Sequence, residues 1–279
     1  MRLFVTGASG QLGHELVRVF GHHEAYWATH ARDDITQRHI VATILDFKPD
    51  IIIHAAALTD VDACELHPQL AFQVNEQGTR YVAEAARSTG ALLVYISTDY
   101  VFDGTKGEPY VETDATNPIN VYGQSKLAGE RAAQEAERWL IVRTSWVYGA
   151  GRKNFVTNVL EWAKTQSRLK LVRDKIGSPT STAELTQALR HLLNAGIAQG
   201  IFHASGEGSC NWVEYGQAIL QMAGMQREIQ AISFDELQRP AKRPAHSALR
   251  NAALEQHHYR LRPWRIALRD FMSAQLGYV

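Results

Sequence analysis

The chain opens with Arg2-Leu3-Phe4-Val5-Thr6, a short apolar and partly β-branched run that reads as a buried strand. It leads directly into Gly7-Ala8-Ser9-Gly10-Gln11-Leu12-Gly13, after which Glu15-Leu16-Val17-Arg18-Val19-Phe20 carries helical spacing. Strand, glycine turn and helix together are the context a dinucleotide-binding loop requires. Gly7 permits the tight turn, Gly10 lets the backbone approach a pyrophosphate, and Gly13 lets the helix pack closely on the strand. The helix N-terminus then faces the negative charge. The spacing is Gly-x-x-Gly-x-x-Gly, not the commoner Gly-x-Gly-x-x-Gly, so a βα turn without ligand stays an alternative.

Strand and helix patterns go on alternating along the chain. A weak strand at 25–29 is followed by a helical pattern at 36–47 and a buried strand at 51–54. A long helix at 70–89, strands at 91–96 and 140–143, and a helix around Tyr122 complete the first half. Apolar strands joined by helices predict an α/β fold: a Rossmann-like, doubly wound parallel sheet covered on both faces. Ligands in such sheets bind beyond the carboxyl ends of the strands. The unusual motifs, at 7–13, 55–59, 97–100 and 144–148, all sit at such ends. Past residue 150 helices are expected at 154–166, 182–194, 212–222 and 263–276, with short strands at 170–172, 201–204 and 228–232. The expected division is a dinucleotide-binding core over 1–150, completed by parts of 175–205, and a smaller, mainly substrate-binding lobe over 151–279. No linker separates them, so the whole reads as one continuous domain.

Chemistry enters with Asn120-Val121-Tyr122-Gly123-Gln124-Ser125-Lys126. A tyrosine and a lysine four apart on a helix project from one face. A free phenol titrates near pH ~10, and a neighbouring ammonium lowers that value, giving a proton donor suited to a carbonyl. Such pairs are common on solvated helix faces, so the pair gains weight only from the glycine loop upstream.

Composition narrows the partners. Lys plus Arg equals Asp plus Glu, 29 of each, so no global charge draws the chain to nucleic acid or an anionic membrane. Two cysteines, Cys64 and Cys210, fit a reducing compartment. A first strand starting at Arg2 leaves no room for a signal peptide, and the apolar stretch 51–58 is too short to span a bilayer. Cytoplasm is the expected location. The twelve histidines include His22-His23 and His257-His258 but show no metal-ligand spacing, so no metal is expected. His54, inside a buried strand, reads as a hydrogen-bonded core residue.

With these residues in view, the chain resembles the extended short-chain dehydrogenase/reductases, and within them the dTDP-4-dehydrorhamnose reductase family, along nearly its whole length. The resemblance is carried by the glycine loop, Ala55-Ala56-Ala57-Leu58-Thr59-Asp60-Val61-Asp62, Ser97-Thr98-Asp99-Tyr100-Val101-Phe102-Asp103-Gly104 and Glu112-Thr113-Asp114. It continues through Asn117-Pro118, Asn120-Val121-Tyr122-Gly123, Arg143-Thr144-Ser145-Trp146-Val147-Tyr148, Gly177-Ser178-Pro179-Thr180 and Arg243-Pro244.

The resemblance implies a catalytic set of Thr98, Tyr122 and Lys126. Thr98 would hydrogen-bond a carbonyl or the phenol, Tyr122 would protonate the developing oxygen, and Lys126 would lower the phenol's pKa and hold the nicotinamide ribose. It implies cofactor contacts from Gly7, Gly10, Gln11, Leu12, Gly13, Asp34, Ile35, Ala55, Ala56, Ala57 and Thr59. Asp33 and Asp34 lie about where an acid would meet a ribose 2′-hydroxyl, with Asp33 also readable as solvated. Arg32, with His30 nearby, suits a 2′-phosphate. NADPH is therefore the expected cofactor, with NADH the alternative.

For substrate, a nucleotide sugar, it implies Thr98, Asp99, Tyr100, Trp146 and Arg243. Arg243 belongs to a run of eight basic residues and two acids between Arg239 and Asp270, otherwise readable as a solvated face. Sugar-nucleotide dehydratases of this superfamily follow the threonine with an Asp-Glu pair. Here Tyr100 replaces the second acid, which favours reduction over elimination. The reaction expected is reduction of the keto group of dTDP-4-dehydro-L-rhamnose, toward surface polysaccharide. Leu58, where histidine or tyrosine is usual, leaves another keto-sugar nucleotide open. A non-catalytic NADP-binding regulatory subunit is a further alternative. Oligomeric state is not legible, and a homodimer stays open.

Overall fold

A computed structural model describes residues 1–278. Its central sheet has six strands, all parallel: β1 (Arg2–Thr6), β2 (Glu24–Trp27), β3 (Ile51–His54), β4 (Leu92–Thr98), β5 (Trp139–Thr144) and the late strand Gln199–His203. From one edge the order is Gln199–His203, β5, β4, β3, β1, β2. The chain steps one way from β1 to β2, then crosses back to β3 and continues outward on the other side. The winding thus reverses between β1 and β3, and a crevice opens beyond their carboxyl ends.

The inner strands are largely apolar because successive residues enter opposite cores. Leu3, Val5, Ile53, Val94 and Val142 face one layer, with Leu16 of helix α1 (Gln11–Phe20) and Leu189 of helix Thr182–Asn194. Phe4, Ile52, Leu93, Tyr95 and Ile141 face the other, against Ile40, Ile44 and Val82. The stretch 182–203 therefore returns to the sheet and contributes its last helix and strand. A third core, including Val159, Leu171, Tyr215, Ile219 and Phe271, fills the lobe of helices Phe155–Thr165, Trp212–Met222 and Trp264–Leu276. There the parallel strand pair Arg168–Val172 and Glu228–Ile232 forms a separate small sheet.

Most boundaries shift by a residue or two, and three differences bear on the site. The helix expected from 36 begins at His39, because Asp34 Oδ1 accepts from both the N–H and the hydroxyl of Thr36 and holds that turn out of the helix. The helix expected over 70–89 is Pro68–Phe72, a π-turn at Gln73–Gln77 and Gly78–Thr89. β4 runs on to Thr98, delivering it to the rim of the crevice. Among the described residues no helix is long and apolar enough to cross a membrane.

Candidate functional site

The glycine loop forms a cradle that side chains would fill. Gly7 has φ +73°, and a Cβ there would lie 2.7 Å from the Ala56 nitrogen; one on Gly13 would lie 2.3 Å from the Gly7 oxygen. Gly10 caps α1 without any side-chain hydrogen bond, so the first-turn amides face the crevice free of an internal acceptor. The donor set fits the diphosphate of a dinucleotide. A cavity of about 470 Å³ begins here, walled by Gly7, Gly10, Gln11, Leu12, Gly13, Ala55, Ala57 and Thr59, and runs on to Thr98, Asp99, Tyr122, Lys126 and Trp146.

An adjoining cavity of about 390 Å³ carries Asp34, Ile35 and Ala56, with His30 and Asp33. Arg32 lines neither cavity. Its Nε donates to Asp33 (2.9 Å), another guanidinium nitrogen donates to the Trp27 carbonyl (2.8 Å), and the group lies over the Tyr26 ring. Asp33 is not solvated: it is buried and also accepts from the Tyr26 hydroxyl and the Thr29 N–H. His54 is a core residue, bonded through one ring nitrogen to Thr6 (2.6 Å) and through the other to Thr79 (3.1 Å).

Tyr122 and Lys126 lie one turn apart on the helix Val121–Ala133, whose N-cap Asn120 accepts from the Gly123 N–H at 2.8 Å. The Thr98 hydroxyl donates to Asp99 Oδ1 (3.1 Å) and accepts from the Tyr100 N–H (3.1 Å). Asp99 Oδ2 in turn accepts from the Ser247 hydroxyl at 2.5 Å. Burial pushes the Asp99 carboxyl up to about 6, against the lowering effect of hydrogen bonds from Ser247, Ser145 and Thr98.

The expected depression of the Tyr122 phenol is not what this geometry gives. Burial raises it above the ordinary phenol value, opposed by a hydrogen bond with Thr98 and assisted by the nearby Asp99 charge. Lys126 Nζ instead donates to the Ile96 carbonyl (2.7 Å) and sits 4.0 Å from the Tyr95 ring centroid. Burial lowers its pKa to about 7, opposed by Glu130.

Two supports of this site lay outside the sequence reading. Asn75, turned inward by the π-turn, donates to Ser125 of the Tyr122 helix and to the Leu58 carbonyl, and accepts from the Leu58 N–H. Glu130, one turn beyond Lys126, accepts from Ser97 and Arg143. Neither offers a sequence signal, because each partner is remote or lies on another strand.

A cavity of about 670 Å³ opens on the lobe side, walled by Tyr100, Phe155, Trp162, Trp212 and Phe234 with Arg168, Lys175, Arg239 and Arg243. Two aromatic pairs join it to the first cavity. Tyr100 meets Tyr122 edge-on at 5.8 Å, and Trp146 stacks on Trp212 at 3.7 Å. Trp146 has φ +45°, rare for a bulky residue. Arg243 donates to Asp62 (2.7 Å) and to the Ala241 carbonyl while remaining in the cavity wall. Farther along the basic run, Arg262 is bonded to Glu184 and Asp270. Among the described residues no group of three or more His, Cys, Asp or Glu is placed to hold a metal ion.

A doubly wound parallel sheet with a glycine cradle at its reversal point, and Thr98, Tyr122 and Lys126 lining the same cleft, defines an extended short-chain dehydrogenase/reductase. The protein-family model described as RmlD substrate binding domain matches residues 1–276. A dTDP-4-dehydrorhamnose reductase of Sinorhizobium fredii is 40% identical over 99% of this chain and 98% of its own. The spore coat polysaccharide biosynthesis protein SpsK of Bacillus subtilis is 39% identical over 98% and 97%. The crystal structure of dTDP-4-dehydrorhamnose reductase from Bacillus anthracis in complex with NADP superposes with a TM-score of 0.94, at 38% identity over 97% of this chain and 98% of that one. The chain belongs to the dTDP-4-dehydrorhamnose reductase family.

Proposed function

We propose that this protein reduces the keto group of dTDP-4-dehydro-L-rhamnose, using NADPH in preference to NADH, and releases dTDP-L-rhamnose. The observation that carries the reading is the opening of Thr98, Tyr122 and Lys126 into the cavity that begins at the glycine cradle. When bound, the nicotinamide supplies the hydride. Tyr122 donates the proton to the carbonyl oxygen, and its raised pKa keeps that proton in place at neutral pH. Thr98, fixed by Asp99 and the Tyr100 N–H, orients the phenol and the carbonyl. Lys126 contributes positive charge beside the developing oxyanion and holds the ribose.

The glycine loop, Ala55 to Ala57, Thr59, Asp34 and Ile35 bind the dinucleotide. The lobe beyond residue 150 receives the nucleotide sugar, with Tyr100 in its cavity wall, Trp146 at the junction with the first cavity and Arg243 toward the diphosphate. NADPH is favoured because a relative of 38% identity was solved with NADP. The absent second acid after Asp99 argues against elimination. The product would be a cytoplasmic precursor for surface polysaccharide.

The test uses the purified full-length chain. NADPH oxidation that starts only when the keto-sugar nucleotide is added supports the reading, and no turnover with either reduced cofactor overturns it. Faster turnover of another nucleotide keto-sugar in a panel would reassign the substrate. Dinucleotide binding with no turnover on any of them would point to a regulatory subunit.

A further inference from the structure

We propose that Arg152 grips the diphosphate of the bound dinucleotide from the lobe side of the cleft, an inference that rests on the cofactor reading above. The cavity that reaches Tyr122 and the one that reaches Asp34 share only Gly7, Gly10, Ala55, Ala57 and Arg152 as walls. Four of these are small residues, and the fifth is the sole charge at the junction. A dinucleotide spanning both cavities passes through that throat at the joint between its two nucleosides, which is its diphosphate.

Arg152 is held there. Its Nε donates to the Ser9 carbonyl at 3.2 Å, so the guanidinium lies over the glycine loop. The preceding Gly151 has φ +86°, and a Cβ on it would meet the His14 ring at 2.6 Å, so the segment is seated directly against α1. A planar guanidinium with remaining N–H groups suits two phosphate oxygens at once. Neighbouring basic groups are otherwise engaged: Lys153 pairs with Glu161 at 3.0 Å, and Arg32 is bonded to Asp33 outside both cavities. The amides of α1 and Arg152 thus approach the same anion from two sides.

The experiment is titration of NADP⁺ and NAD⁺ into the full-length protein by calorimetry, for the parent, Arg152→Ala and Arg152→Lys. Because the diphosphate is common to both dinucleotides, Arg152→Ala should weaken both to a similar degree, by about tenfold, as loss of a charge-assisted contact does. Arg152→Lys should recover part of the loss, and the unliganded melting temperatures should agree, since the residue is exposed. Unchanged affinity in Arg152→Ala overturns the assignment while leaving the cofactor reading intact. A loss confined to NADP⁺ also overturns it, placing the guanidinium on the 2′-phosphate. A parent that binds neither dinucleotide removes both readings.

Discussion

Arg143 of β5 holds Glu130 of the Tyr122 helix by two hydrogen bonds, of 2.9 and 2.8 Å, with both side chains 4% exposed. Ser97, next to Thr98 on β4, donates to the same carboxylate at 2.6 Å. One buried acid therefore ties the helix bearing Tyr122 and Lys126 to the two strands beneath it. It sets where that helix sits along β4, and so how far Tyr122 stands from Thr98.

Removing either partner strands the other charge in the interior. Arg143→Ala and Glu130→Ala should each cost about 3–5 kcal/mol of unfolding free energy. Replacing both by apolar residues of similar volume should recover much of that stability. Denaturant unfolding of the single and double variants checks this; single variants within 1 kcal/mol of the parent, on the order of a surface pair, would show that the pair does not anchor the helix.

Asp99 makes stability depend on pH in an unusual direction for a carboxylate. Its folded pKa, about 6, lies above the ordinary 3.8, so the folded state holds the proton more tightly than the unfolded chain. The resulting stabilisation is fully present below the unfolded value and is lost as pH rises through the folded one. Asp62 and Asp114, held low by Arg243 and Lys106 respectively despite partial burial, act in the opposite sense. The parent-minus-variant difference isolates Asp99. Asp99→Asn should gain stability relative to the parent between pH ~4 and ~6 and hold a constant advantage above that. A difference that stays flat across the range would mean that Asp99 titrates normally.

What could be read from the chain was what short segments carry within themselves. Gly7, Gly10 and Gly13 announce their turn because the constraint lies in their own backbone. The helix Thr182–Asn194 keeps its expected limits because Ser181 caps it, and Trp212–Met222 keeps its limits because Asn211 and Glu214 form a reciprocal cap. Thr98, Tyr122 and Lys126, the set implied by the resemblance, line one cleft. Their electrostatics were not legible in the chain. The hydroxyl that bonds Asp99 comes from Ser247, 148 residues later, and the carbonyl that receives Lys126 belongs to β4. Burial, which raises the phenol, is a property of the folded cleft and leaves no local pattern. Arg32 illustrates the converse: its position in sequence suited a phosphate, but Asp33 beside it captures the guanidinium.

Gly177 gives Trp146 its place. A Cβ at 177 would lie 2.3 Å from the indole, so alanine must push the ring out of its stack with Trp212. Gly177→Ala should cost about 1–3 kcal/mol through overpacking and shift the intrinsic tryptophan fluorescence. Because the ring closes the far end of the first cavity and stacks on Trp212 of the lobe cavity, KM for the nucleotide sugar should rise several-fold while dinucleotide affinity falls less. An unchanged KM together with a shifted spectrum would separate Trp146 from substrate recognition.

Tyr122 provides the sharpest division between binding and chemistry. The phenol lines the cleft beside Thr98 and is held protonated by burial, so phenylalanine keeps its shape and removes only the transferable proton. Tyr122→Phe should lower kcat by about 10²–10⁴-fold, the range for one general acid, with dinucleotide affinity changed by no more than a few-fold. Thr98→Val should act in the same direction more weakly, because it removes the hydroxyl that positions the phenol while leaving the proton donor itself. Steady-state kinetics beside calorimetric binding on the same preparations checks both variants. A Tyr122→Phe protein with parental kcat would require the proton to come from elsewhere in the cleft, and Asp99, whose pKa of about 6 leaves part of it protonated near neutrality, would be the group to test next.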